Sequence, residues 1–229
     1  THELKTPIGA ISLLAEAVAA SADDADAVRH FAGRMATETA RLDELISQII
    51  ALSRLQSTDP LLAAVPIVVD EVIDEIFDQS RAQAENRNVM LAHQRSSEAV
   101  IRGDRRHIEA ALRNLIQNAI AYSDAGARVA VATRVVHDAT GEWVEIAVSD
   151  NGIGIAEADQ PRVFERFFRV DYGRSRANGG TGLGLSIVKH IASAHGGTVT
   201  LWSRLGQGST FTLRLPAHQP DHHAEGTAA

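Results

Sequence analysis

From Leu4, apolar or small residues recur at Leu4, Ile8, Ile11, Ala15 and Val18, alternately four and three positions apart. A second run keeps the helical period through Val28, Phe31, Met35, Leu42, Leu45, Ile49 and Leu52. Such a stripe marks one face of a helix, because residues three or four apart lie one turn along the same side. Between the runs SADDAD, residues 21–26, offers short polar side chains suited to accept from the first free N–H groups of a helix. Residues 1–56 therefore read as an antiparallel helical hairpin. Two helices with one apolar stripe each cannot enclose a core, so a second copy completing a four-helix bundle is the expected partner. The alternative is a hairpin packed on its own downstream domain. With Leu4 and Ile8 in the seam, His2 and Thr6 share the outer face of the first helix.

QSTDP, residues 56–60, opens a linker set at 57–64, and a different pattern follows. Val65–Val69 reads as a strand, Asp70 to about Glu85 as a helix, and Val89–His93 and Ala99–Ile101 as short strands. Asp104 is placed to cap a helix running to about Tyr122. RVAVATRVV and EWVEIAVSD alternate around DATG as a hairpin, Ser186–Ala194 reads as a helix, and TVTLWSRLGQGSTFTLRLP reads as a last hairpin. The order predicts an α+β sandwich over 65–216, with helices on one face of a sheet, and a frayed polar tail at 217–229.

Composition narrows the chemistry. The chain of 229 residues has no Cys, which removes disulfides, thiolate metal sites and a thiol nucleophile. A net charge of −7 argues against bulk binding to nucleic acid or an anionic membrane. No apolar run reaches the roughly 18 residues of a membrane span, so any anchor is expected upstream of Thr1.

Four stretches carry candidate chemistry. In LRNLIQNAIAYS, Asn114 and Asn118 share a helix face; two aligned amides suit a ligand or an ion, or else bond neighbouring backbone. SDNGIGI, residues 149–155, ends a strand at Asp150, a possible acceptor for an exocyclic amine, with Gly152 and Gly154 allowing close backbone approach. The same letters also spell an ordinary turn. GGTGLGLSIVKHI places glycines before a helix, whose first N–H groups suit phosphate, or serve only as a tight helix entry. QPRVFERFFRVDYGRSRANGG holds five arginines against Glu165 and Asp171 in an otherwise acidic chain. Arg162, Arg166 and Arg169 are expected on one helix face, either as a cationic lid over a polyphosphate or as a solvated surface. Neither lysine, Lys5 or Lys189, follows a glycine, and no G-x-G-x-x-G occurs, so Walker and Rossmann loops are excluded. HELKT has Thr6 where a zinc-binding HExxH needs its second histidine.

In this order the stretches resemble the sensor histidine kinases of two-component systems, and among them the phosphate-responsive sensor kinases of actinobacteria. HELKTP resembles the phosphoacceptor box, LRNLIQNAIAYS the N box, SDNGIGI and GGTGLGLSIVK the two glycine boxes, RVFERFFR the F box, and GQGSTF the closing strand motif. The resemblance covers residues 1 to about 216.

It implies a homodimer whose hairpin carries His2 as phosphoacceptor, and an ATP-binding sandwich of the gyrase type. By resemblance Asn118 holds Mg²⁺, Asn114 and Tyr122 lie beside the phosphates, and Asp150 meets the adenine amine with Thr210 nearby. Gly152, Gly154, Gly180, Thr181, Gly182, Leu183 and Gly184 shape the pocket and lid, and Arg169 contacts phosphate. His2 would attack the γ-phosphate with Glu3 orienting its ring, then pass the phosphoryl group to a response regulator receiver domain; Thr6 would serve the reverse, phosphatase reaction. The resemblance further implies the cytoplasmic part of an inner- or plasma-membrane protein. One position departs from the family pattern: Ala121 stands where the family commonly has Lys, so an arginine or a backbone group is expected to replace that contact. The competing function is an ATP-sensing, regulator-binding phosphatase with weak kinase activity.

Overall fold

The computed structural model describes residues 2–57, 64–96, 99–170 and 181–218; the side chains of 2–4, 44, 48 and 51–57 lie outside that description. Helices α1 (His2–Ala20) and α2 (Ala25–Ser57) form the hairpin. Asp24 closes the start of α2, its carboxylate accepting from the Asp26 and Ala27 N–H groups at 3.0 Å each. Pro7 lies inside α1 and has no N–H to give the preceding turn.

Within one chain the hairpin's inner face uses only part of the expected stripe. Leu14, absent from the predicted stripe, is buried at 9% exposure with Ile11 and Val18 half-buried, whereas Ile8 is 51% exposed and Ala15 is exposed. A helix in a bundle packs on more than one side. The contact with α2 selects the Ile11–Leu14–Val18 side and leaves Ile8 and Ala15 beyond it. On α2 the expected positions whose side chains are described turn inward, with Leu45 buried and Val28, Phe31, Met35, Leu42 and Ile49 half-buried, while the Leu52 side chain lies outside the described residues.

The second unit runs β1 (Val65–Val68), α3 (Val69–Asn86), β2 (Met90–Gln94), β3 (Val100–Gly103), α4 (Arg105–Ala121), β4 (Arg128–Asp138), β5 (Gly141–Asp150), α5 (Gly184–Ala194), β6 (Thr198–Arg204) and β7 (Gly208–Pro216). β1 and β3 pair as a two-stranded antiparallel ribbon, and the main sheet has the order β2-β4-β5-β7-β6. Only β2 and β4 are parallel there. Alternation decides the layers: Val129, Val131, Val144, Ile146, Val148, Leu213 and Leu215 are buried on one face. Ile73 and Ile76 of α3, Leu112, Leu115 and Ile116 of α4 and Ile191 of α5 share their apolar cluster, which Leu45 and Ile49 of α2 also join.

The arginine-rich segment is not the expected helix. After a 3-10 turn at Gln160–Arg162 the chain proceeds by further turns, and Phe167 takes a positive φ of 65°. Its N–H reaches the Gly182 carbonyl at 2.8 Å instead of a carbonyl one turn back. Arg162, Arg166 and Arg169 therefore do not share a helix face; Arg162 stacks on the Phe168 ring at 4.3 Å. Arg174 and Arg176 lie outside the described residues.

Candidate functional site

Helix α4 organises the site. The Asp104 carboxylate caps it, accepting from the Arg106 N–H at 2.8 Å, and its apolar positions hold it against the sheet. This fixes Asn114 and Asn118 one turn apart, both half-buried. Asn114 Nδ2 donates to the Ala110 carbonyl at 2.7 Å. Its Oδ1 lies so close to Gly184 that a Cβ there would stand 2.5 Å away. The first residue of α5 is thus seated against the asparagine.

At the other end of α4 the Tyr122 carbonyl meets the glycine turn. It accepts from the Ile153 N–H at 3.3 Å, and a Cβ on Gly152 would come within 2.2 Å of it. Asp150 Oδ1 accepts from the Gly152 N–H at 2.9 Å. Burial pushes the Asp150 carboxyl above its ordinary pKa, while N–H groups of Gly152 and Ser209 pull the other way. Burial likewise raises the Tyr122 phenol, and the positive charge of Arg169 opposes it. The Ala121 carbonyl accepts from Arg87 Nη1 at 3.0 Å. That bond ties the turn after α3 to the end of α4.

Gly154 has φ 67°, and a Cβ there would stand 2.1 Å from the Arg204 carbonyl oxygen. Gly182, with φ 76°, packs on the backbone of Phe167. Thr181 Oγ1 accepts from the Leu183 N–H at 3.3 Å, and Leu183, fully buried, starts α5 without a side-chain cap. Gly180 lies outside the described residues, as do the side chains of His2 and Glu3; Thr6 is exposed on α1.

Thr210 is misplaced by one position. β5 and β7 pair Asp150 with Ser209 and Ser149 with Thr210, so Thr210 points away from Asp150 and bonds Ser149 Oγ at 2.9 Å on the opposite face. A strand's faces alternate, which makes Ser209, 5% exposed, the residue beside the carboxylate. Sequence reading missed Ser209, Ser203, Gln160 and Arg87. Ser209 is singled out only by the β5–β7 register, and the other three are joined to the site only by long-range contacts.

The donor set suits a nucleotide. Cβ-intolerant glycines line an acceptor carboxylate on one side, and the start of α5 lacks a side-chain cap on the other. Residues 103–219 match the family model described as Histidine kinase-, DNA gyrase B-, and HSP90-like ATPase, and residues 1–58 that of the His Kinase A (phospho-acceptor) domain. The sequence is 48% identical over 226 residues to the sensor-like histidine kinase SenX3 of Mycolicibacterium smegmatis, covering 98% of this chain and 58% of that protein. It is 48% identical over 223 residues to SenX3 of Mycobacterium tuberculosis, covering 97% and 53%. The chain thus spans little more than half the length of these curated relatives. The fold is similar to that of Acinetobacter baumannii histidine kinase AdeS, with a TM-score of 0.73 at 24% identity over 96% of this chain and 99% of that one.

Proposed function

Because the chain belongs to the sensor histidine kinases of two-component systems, we propose that it phosphorylates His2 from ATP and passes the phosphoryl group to an aspartate of a response regulator receiver domain. The observation that carries this reading is the convergence on α4 of three features: the Asp150–Gly152 turn, the Asn114 amide and the uncapped start of α5. Asp150 accepts from the adenine amine, while the first N–H groups of α5 and the Gly180–Gly184 segment, with Thr181 and Leu183, hold phosphate oxygens. Asn114, Tyr122 and Arg169 lie beside the phosphates. Asn118 would hold Mg²⁺, which would supply charge neutralisation on the phosphoryl group.

His2 attacks the γ-phosphorus in line through one neutral ring nitrogen as the bond to the ADP oxygen breaks; Glu3 accepts from the other ring N–H and so orients the ring. Thr6, exposed one turn further along α1, positions water when the phosphorylated regulator is hydrolysed. The hairpin (1–56) pairs with a second copy and a linker (57–64) joins it to the ATP-binding unit, which runs past the expected end at 216: Ala217 bridges Ile101, and the His218 N–H donates to the Val100 carbonyl at 2.8 Å.

Incubation with γ-labelled ATP tests the reading. The expected product is an acid-labile, alkali-stable label that disappears in His2→Ala. Label persisting in that variant removes His2 as the acceptor.

A further inference from the structure

The glycine turn is tied to the last hairpin by the Gly206 N–H, which donates to the Ile153 carbonyl at 2.7 Å, and by the Ser203 hydroxyl. Ser203 on β6 stands opposite Ser209 on β7. Its Oγ has three neighbours: the Ile155 N–H at 2.8 Å, the Gly208 carbonyl at 2.9 Å and Ser209 Oγ at 2.9 Å. Gln160 Nε2 braces the same junction, donating to the Ile155 and Ser203 carbonyls at 3.0 Å each.

A hydroxyl has one proton and two lone pairs. The Gly208 carbonyl can only accept, so it takes the Ser203 proton. The Ile155 N–H can only donate, so it fills one lone pair. What remains for Ser209 is the second lone pair, and the Ser209 hydroxyl must therefore donate to Ser203. Its own proton spent, Ser209 Oγ can only accept from anything else. Ser209 is the register partner of Asp150, on the same sheet face, and its N–H donates to the Asp150 carboxylate.

We infer that Ser203 is a positioning residue for base selection: by claiming the Ser209 proton it leaves a pocket wall of acceptors alone. Such a wall suits a purine with an amine at its six position and rejects one with a carbonyl there, because two facing acceptors have no proton between them. The inference rests on Asp150 being the base-recognition residue.

Titration calorimetry of the whole chain with ATP and with inosine triphosphate, whose base carries that carbonyl, tests it. Ser203→Ala frees the Ser209 hydroxyl to turn and donate. The ATP-to-ITP affinity ratio should fall about tenfold, the scale of one regained hydrogen bond. Adding Ser209→Ala should restore the ratio, since the freed donor is gone; a role confined to holding the turn together would not produce that recovery. Ser203→Cys, of nearly equal volume and a poor hydrogen-bonding group, carries the same readout should the alanine variant not fold. Equal weakening of both nucleotides with an unchanged ratio overturns the inference while leaving the ATP site standing. A wild-type chain that binds neither nucleotide overturns the ATP site itself.

Discussion

An ideal Cβ at position 152 would stand 2.2 Å from the Tyr122 carbonyl oxygen and 3.0 Å from Asp150 Oδ1. Both neighbours belong to the site: one ends α4, the other is the half-buried acceptor. Gly152→Ala must push the turn off the helix end, and ATP affinity is expected to fall at least about tenfold, or about 1.4 kcal/mol. Calorimetric titration of ATP checks this, and unchanged affinity would show that the turn does not form the base pocket. This glycine was legible in SDNGIGI, where a strand gives way to a residue without a side chain. The serine beside it was not. GQGSTF shows two hydroxyl residues side by side, and only the pairing of Asp150 with Ser209 decides which one faces the carboxylate. Ser203 and Arg87 were illegible for a further reason: each acts through a partner more than thirty residues away or across a hairpin, and no local spacing encodes such a contact.

Elements were read well where local chemistry decides them and badly where it does not. The Asp104 cap and the apolar period of α4 were plain in the sequence, as was the α5 helix after its glycines. The segment 162–169 has equally helical letters, yet Gly182 captures the Phe167 N–H and the helix never forms. Where α4 begins and α5 ends, the two elements meet through histidines. His195, 5% exposed, donates from Nδ1 to the Ile191 carbonyl and accepts at Nε2 from the Asp104 N–H. His107 stands edge-on to it with ring centroids 6.0 Å apart, and its Nδ1 finds no hydrogen-bond partner among the described residues. Burial holds His107 below the ordinary imidazole pKa; Asp104 opposes this, and His195 and His190 add to it. The folded chain therefore takes up this proton less readily than the unfolded chain. The stability contributed by the neutral ring is complete above about pH 6.5 and is lost as pH falls through the depressed folded value. His107→Phe keeps the edge-on ring and removes the proton site. Urea midpoints at about pH 7.5 and about pH 5.5 should differ less in this variant than in the wild type. An equal drop in both proteins would place the acid sensitivity elsewhere.

At the scale of the molecule, the two units have different kinds of surface. The sandwich encloses its core with three helices on one sheet face, and Leu112, Leu115 and Ile146 are fully buried. The hairpin leaves Ile8 at 51%, Leu13 at 67%, Ile46 at 42% and Ile50 at 47% exposure, although each lies on a long regular helix. The sequence showed that α1 has an apolar stripe, but a stripe does not say which neighbour covers which half of it. Contact with α2 uses the Leu14 side, and in the proposed dimer the Ile8 side is the face for the second copy. Symmetry then doubles any change there, because each residue enters an isologous interface twice. Burying one isoleucine side chain contributes about 1.5–3 kcal/mol, so Ile8→Glu removes at least about 3 kcal/mol from the pair before the cost of desolvating the new carboxylate. The dimer dissociation constant should rise by at least about 100-fold, as measured by sedimentation, with the helix content of circular dichroism unchanged. A dimer of undiminished affinity in this variant would mean that the second copy packs on some other face, and that the exposed stripe of α1 has a different purpose.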